Sequence, residues 1–287
     1  MHCTTLGAVL IRGLSCPSTT RPELLNSSGT CLSGRRGVLA AATMLLAPGI
    51  AVARGVLAAT PISRMDLKEW RERHLAKLEE LRRANPALVF YGDSITQSWE
   101  YNRPEPWRRF VPIWQAYYGD RNAVNLGYAG DTTANLLWRI RNGEADGISP
   151  KVAVILIGAN NLGRLHWSAG DTLLGIDAII AELRRRLPST RLLLLGVLPS
   201  DRPDWATSTT WTINRALETR HLSDPVVTFL DVGYVFMKDG QINTKLFYDP
   251  MLYPPRPSLH PSAQGQALMA AAMEPVLASL LGDKPHR

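Results

Sequence analysis

Five short runs of mostly aliphatic residues alternate with amphipathic patterns along this chain, and no other feature constrains its fold as tightly. The runs are 87–91, 123–126, 152–157, 191–198 and 226–230. They lack the polar alternation of a half-exposed strand, so each reads as a strand buried on both faces. Helical patterns separate them at 106–114, 132–141, 172–187 and 205–221, and a last helix is expected at 262–281. Strands and helices in alternation predict an α/β chain: a three-layer α/β/α sandwich around a five-stranded parallel sheet. A further surface helix is expected over 63–84, where Leu67, Trp70, His74, Leu78 and Leu81 recur at helical spacing. His74 lies on that apolar stripe and reads as packing.

All strands of a parallel sheet end at one edge, and reacting groups gather there. Three segments following strands carry the right chemistry: Gly92-Asp93-Ser94-Ile95, Gly127-Tyr128-Ala129-Gly130-Asp131 and Gly158-Ala159-Asn160-Asn161. A fourth, Leu259-His260-Pro261-Ser262, supplies a histidine near the chain end. One hydroxyl, one base and two sets of polar donors suit an ester hydrolase, because serine needs a base to take its proton and a developing oxyanion needs fixed donors. Asp93, Asp131 and Asn161 read as loop-fixing residues, Asp93 in a supporting position beside the serine. Trp99, Trp107 and Trp114 read as core.

Several other classes are disfavoured. All three cysteines, Cys3, Cys16 and Cys31, precede residue 32, so the body has neither a disulfide nor a thiol nucleophile. The six histidines are scattered without zinc-ligand spacing, and no metal or other cofactor is expected. The net charge is +7, part of it in the first 53 residues, where Arg12, Arg21, Arg35 and Arg36 face Glu23. The remaining basic residues are mixed with acidic ones, so no nucleic-acid partner is expected.

Residues 1–59 read as a leader and 60–287 as the hydrolase domain. Arg35-Arg36 precedes an uncharged apolar stretch over 37–53 that closes on Ala51-Val52-Ala53. A basic flank, a short apolar core and small residues at the cleavage positions describe a secretory signal. The arginine pair also fits twin-arginine export, in a poor context. The long stretch before that pair leaves open a start codon downstream of Met1. The expected location is periplasmic or secreted, with an uncleaved membrane anchor as the alternative.

At these residues the chain resembles the SGNH (GDSL) hydrolase superfamily, whose four segments appear in family order. Gly130-Asp131-Thr132-Thr133, Leu137-Trp138-Arg139-Ile140, Asn142-Gly143-Glu144 and Ile148-Ser149-Pro150-Lys151 are similar to the subgroup of platelet-activating-factor acetylhydrolase catalytic subunits and their bacterial relatives. The resemblance implies the flavodoxin-like strand order 2-1-3-4-5. It also implies Ser94 as nucleophile and His260 as base, with an oxyanion hole from the N–H groups of Ser94 and Gly130 and the Asn160 amide. The family's acid stands three residues before the histidine, where this chain has Pro257. Followed from Asp239-Gly240 through Phe247-Tyr248-Asp249, the likeness places the acid at Asp249, with a Pro-rich insertion before Leu259-His260. A dyad without a carboxylate stays open. The implied activity is hydrolysis of short, acetyl-type esters of a small molecule, a glycan or a lipid. Acyl transfer to a glycan hydroxyl and an inactive binding scaffold are the alternatives.

Overall fold

The computed structural model describes residues 56–105 and 109–286. The stretch 37–53, expected to carry the export signal, and Trp107 lie outside the described residues.

Five parallel strands form the central sheet: β1 (Leu88–Gly92), β2 (Ala123–Gly127), β3 (Val152–Leu156), β4 (Arg191–Leu195) and β5 (Val227–Leu230). Their order is β2-β1-β3-β4-β5, as the resemblance implied. Every residue of β1 and β3 is buried, which accounts for their lack of polar alternation. Register is continuous: Gly92 pairs with Gly127 on one side and with Leu156 on the other.

Between β1 and β2 lies α3 (Phe110–Tyr118), which packs on the C-terminal helix α8 (Ala263–Leu281). The connections running the other way carry α4 (Thr133–Arg139), α6 (Ala169–Arg186) and α7 (Asp204–His221), packed in succession. Strand order reverses direction at β1, so right-handed crossovers put these two helix sets on opposite faces. The result is the expected three-layer sandwich. None of the helices among the described residues is long and apolar enough to cross a membrane.

The first helix, α1, covers Lys68–Ala84 and starts later than its apolar spacing predicts. The preceding segment is strapped across α4: Ile62 N–H donates to Ala134 O at 3.1 Å, and Asn135 Nδ2 donates to Ile62 O at 3.0 Å. Those bonds commit its backbone elsewhere. The helix ends as expected before Pro86, on Asn85 in the left-handed conformation. A two-stranded hairpin, β6 (Met237–Lys238) and β7 (Gln241–Ile242), is absent from the sequence reading.

Beneath the sheet edge lies a buried charge network centred on Arg139, which has 0% exposure. Its Nε donates to Asp131 Oδ2 at 2.8 Å and its Nη1 is paired with Glu144. The remaining donors reach Leu126 O and Gly92 O, each at 3.1 Å, so one side chain ties the ends of β2 and β1 together. Its guanidinium also lies 3.9 Å from the centre of the Tyr128 ring. Asp131 Oδ1 accepts from Trp70 Nε1 and Arg64 Nη1, both at 2.8 Å. Burial raises the Glu144 carboxyl, but the Arg139 charge and the His74 hydrogen bond outweigh it and hold the group below its ordinary range. His74 does more than pack: its ring nitrogens face Glu144 Oε1 at 3.3 Å and Asn142 O at 3.1 Å. Removing one member of such a network strands buried charge. Arg139→Met is therefore expected to cost about 3–5 kcal/mol, read as a lower midpoint in denaturant unfolding at unchanged slope. A midpoint equal to wild type would mean that the two carboxylates find other partners.

Candidate active site

Ser94 is the first residue of α2 (Ser94–Gln97), a single turn directly after β1. Asp93 caps that turn, its carboxylate accepting from Ile95 N–H at 2.9 Å. The chain can turn this sharply because Gly92 has no Cβ. One placed there would lie 2.0 Å from Thr96 Oγ1 and 2.6 Å from Leu156 O. The serine hydroxyl thereby stands partly exposed at the sheet edge, at the point where strand order reverses.

Ser94 Oγ lies 2.9 Å from His260 Nε2, and His260 Nδ1 lies 2.6 Å from Asp249 Oδ1. Asp249 Oδ2 accepts two main-chain bonds, from Leu259 N–H at 2.9 Å and His260 N–H at 2.5 Å. Residues 246–248 and 260–262 form a short antiparallel bridge, with Phe247 opposite Pro261 and Tyr248 N–H donating to His260 O at 3.0 Å. The Pro-rich insertion loops out between the two arms of that bridge, so that Asp249, just past one arm, faces His260 on the other. Arg256 N–H closes it onto Asp249 O at 3.1 Å. Above the imidazole the Tyr248 ring stacks at 5.3 Å and 15°. Burial works against ionisation of Asp249. The hydrogen bond and charge of His260, with the two main-chain donors, override it and hold this carboxyl below its ordinary range. Pro257, at the family's usual acid position, has no side-chain acceptor.

Gly130 has φ +77°, a conformation that favours glycine. Ser94 and Gly130 are partly exposed, and their amide N–H groups donate to no acceptor among the described residues. Asn160 lies in the short helix α5 (Ala159–Gly163) after β3. Its Nδ2 donates to Asp131 O at 3.0 Å and lies 3.5 Å from Asp93 Oδ2. Asn161 is buried and fixes the loop as expected, accepting from Thr133 N–H at 3.0 Å and donating to Thr133 Oγ1 at 2.7 Å. Trp99 and Trp114 belong to the core, edge-on to Tyr118.

Two side chains were not singled out by the sequence. Arg202, on the loop after β4, braces α5 by donating from Nη1 to Ala159 O at 3.1 Å, and its Nε bonds Ser200 Oγ at 3.1 Å. Burial lowers its pKa, and the charges of Asp93 and Asp249 work against that shift. Arg164, just past α5, is exposed and reaches over Gly130. A basic residue in a loop carries no sequence signal for either position. Burial pushes the Asp93 carboxyl up to about 6, against the Ile95 hydrogen bond and the His260 charge. The serine, imidazole and carboxylate form one hydrogen-bonded chain. Such a constellation can move a proton from the hydroxyl as it attacks a carbonyl carbon.

The GDSL-like Lipase/Acylhydrolase family model matches residues 90–268. The platelet-activating factor acetylhydrolase IB subunit alpha2 of Gallus gallus is 28% identical over 234 residues, covering 80% of this chain and 93% of its own. The alpha1 subunit of Homo sapiens is 29% identical over 216 residues, covering 75% and 85%. Among solved structures, a GDSL-like lipase from Bacteroides thetaiotaomicron superposes with a TM-score of 0.55 at 17% identity, covering 74% of this chain and 96% of the other. The structural likeness bears on the fold alone. With the family match spanning all four segments of the sheet-edge cluster, the chain belongs to the GDSL-like lipase/acylhydrolase family and is a carboxylic ester hydrolase.

Proposed function

We propose that the protein is a serine esterase that cleaves short acyl esters of an extracytoplasmic carbohydrate or lipid through an acyl-enzyme at Ser94. The continuous relay from Ser94 through His260 to Asp249, at 2.9 and 2.6 Å, is the observation that carries this reading. As Ser94 Oγ bonds the acyl carbon, its proton passes to His260 Nε2 and the carbonyl oxygen becomes an oxyanion. Collapse of that intermediate expels the alcohol, which takes the proton from Nε2. Water then attacks the acyl carbon, gives a proton to the same nitrogen, and Ser94 leaves with its hydroxyl restored. Asp249 holds the imidazole in the tautomer that accepts at Nε2 and stabilises the imidazolium. A short acyl group is favoured because the curated relatives are acetylhydrolases. Pro257 at the family's usual acid position is the one feature that favours an inactive scaffold. The Asp249–His260 contact at 2.6 Å weighs against that reading. A panel of p-nitrophenyl esters of rising chain length tests the reading. Fastest turnover of the acetyl ester supports it, and a preference for chains of eight or more carbons sinks the short-acyl claim.

The oxyanion would lie against Ser94 N–H, Gly130 N–H and Asn160 Nδ2. Loss of one such donor typically lowers kcat about 10²–10³-fold. Asn160→Ala is expected to fall in that range with KM within a fewfold of wild type. A change confined to KM would show that Asn160 only binds substrate.

Export rests on the leader. Arg35-Arg36, the apolar stretch and Ala51-Val52-Ala53 support cleavage. N-terminal sequencing of protein from the host's periplasm is expected to start between Ala53 and Thr60. Intact leader in the cytosol would reject export, and intact leader in washed membranes would favour an anchor.

A further inference from the structure

Gly130 is hemmed in by two guanidinium groups. A Cβ at this position would lie 2.8 Å from Arg164 Nη1 and 3.4 Å from both Arg64 terminal nitrogens. Both cations therefore converge on the Cα face of the residue proposed to donate to the oxyanion. Their charges are poorly balanced. Arg64 shares the Asp131 carboxylate with Arg139, each guanidinium taking one oxygen at 2.8 Å. Arg164 is exposed, and its guanidinium has neither a hydrogen bond nor an ion pair among the described residues. Like charges this close repel, and holding one of them unpaired leaves a positive potential beside the reacting carbonyl.

A second observation extends the same surface. Arg64 also lines a cavity of about 310 Å³ that opens beside Ala129. Lys68 and Arg73 contribute two more cations to its wall, Trp70 and Tyr128 also line it, and Glu69 is its one carboxylate. Arg73 is committed to Glu100 at 2.8 Å, and Lys68 has only a loose contact with Glu72 at 3.9 Å. A cavity of this size far exceeds an acetyl group, so it suits the alcohol portion of an ester.

We infer that Arg164 and Arg64 form an anion-binding subsite beside Gly130, and that the preferred ester carries a phosphate or carboxylate on its alcohol portion. This rests on the ester-hydrolase reading of Ser94. Guanidinium groups recognise both anions through paired, charge-assisted hydrogen bonds. Here Arg164 would supply the free fork, and Arg64, fixed by Asp131 and by Ala129 O at 2.9 Å, would supply the rigid wall. Anchoring the alcohol there would hold its ester against the oxyanion donors.

Binding rather than turnover separates this subsite from the nucleophile. The Ser94→Ala protein is titrated calorimetrically at low salt with glycerol 3-phosphate and glucuronate, each against its neutral counterpart, glycerol or glucose. The anion the site is built for should bind about 10- to 100-fold tighter than its counterpart, and added salt should erode the difference. Adding Arg164→Gln should abolish that preference, and Arg164→Lys should keep part of it. Whichever anion responds identifies the source, phosphate or carboxylate. Equal affinity for charged and neutral ligands, or an anion preference untouched by Arg164→Gln, overturns the subsite. Failure of the Ser94 reading shows separately, as absence of covalent labelling of the otherwise native protein.

Discussion

Replacing Ser94 with alanine is expected to lower kcat for p-nitrophenyl acetate by about 10⁶, the scale set by serine proteases that lose their nucleophile. In this structure His260 Nε2 faces the Ser94 hydroxyl at 2.9 Å, and that contact is the serine side chain's hydrogen bond. Without it, water must attack directly, and the donors around Gly130 and Asn160 would still give a residual advantage of about 10³–10⁴ over water. Stability should barely change, since Ser94 is partly exposed and its hydroxyl supports no buried group. The distinction matters for interpretation: a variant that loses activity by unfolding also loses its denaturant midpoint. A variant that keeps a few per cent of wild-type kcat would require another nucleophile.

Asp249→Asn is the second large effect, a fall in kcat of up to about 10⁴ by the same analogy. Asp249 Oδ1 accepts from His260 Nδ1–H at 2.6 Å, which leaves Nε2 free to take the serine proton. An asparagine can present its NH₂ instead and favour the opposite tautomer. The other carboxylate oxygen accepts from Leu259 and His260 N–H, bonds that an asparagine oxygen can make only by turning its NH₂ toward the imidazole. The carboxyl is held below its ordinary range, so its contribution to stability is complete above the unfolded-state value of about 3.9 and is lost as pH falls through the folded value. The variant should accordingly lose part of the rise in stability from acid toward neutral pH. If Asp249→Asn keeps near wild-type kcat, the enzyme works as a dyad.

Much of the scaffold was legible because burial leaves a strong local mark. Strands covered on both faces have to be apolar throughout, and β1 and β3 are. Their order was not in the pattern and came through resemblance, as did the placing of Asp249 beside His260, 2.6 Å apart in the structure. That residue is distant in sequence and close in space because residues 246–248 and 260–262 pair across the proline loop. What escaped the sequence is what depends on partners far along the chain. The interior position of His74 could be read from its stripe, but not its contact with Glu144, 70 residues away. Nothing near Arg139 marks an arginine in a helix as fully buried, since Asp131, Glu144 and the ends of two strands must come together first. Arg64 and Arg164 meet over Gly130 for the same reason. The β6–β7 hairpin had a visible turn signal, Asp239-Gly240, with φ +51° and +75°, but its two-residue strands are too short to show a period.

The central claim is an acyl-enzyme at Ser94, and a fluorophosphonate probe followed by peptide mass spectrometry tests it most directly. The account predicts one adduct per chain, on the peptide containing Ser94, absent from Ser94→Ala and formed far more slowly in His260→Ala. An adduct on a different residue, or undiminished labelling of Ser94→Ala, would contradict it.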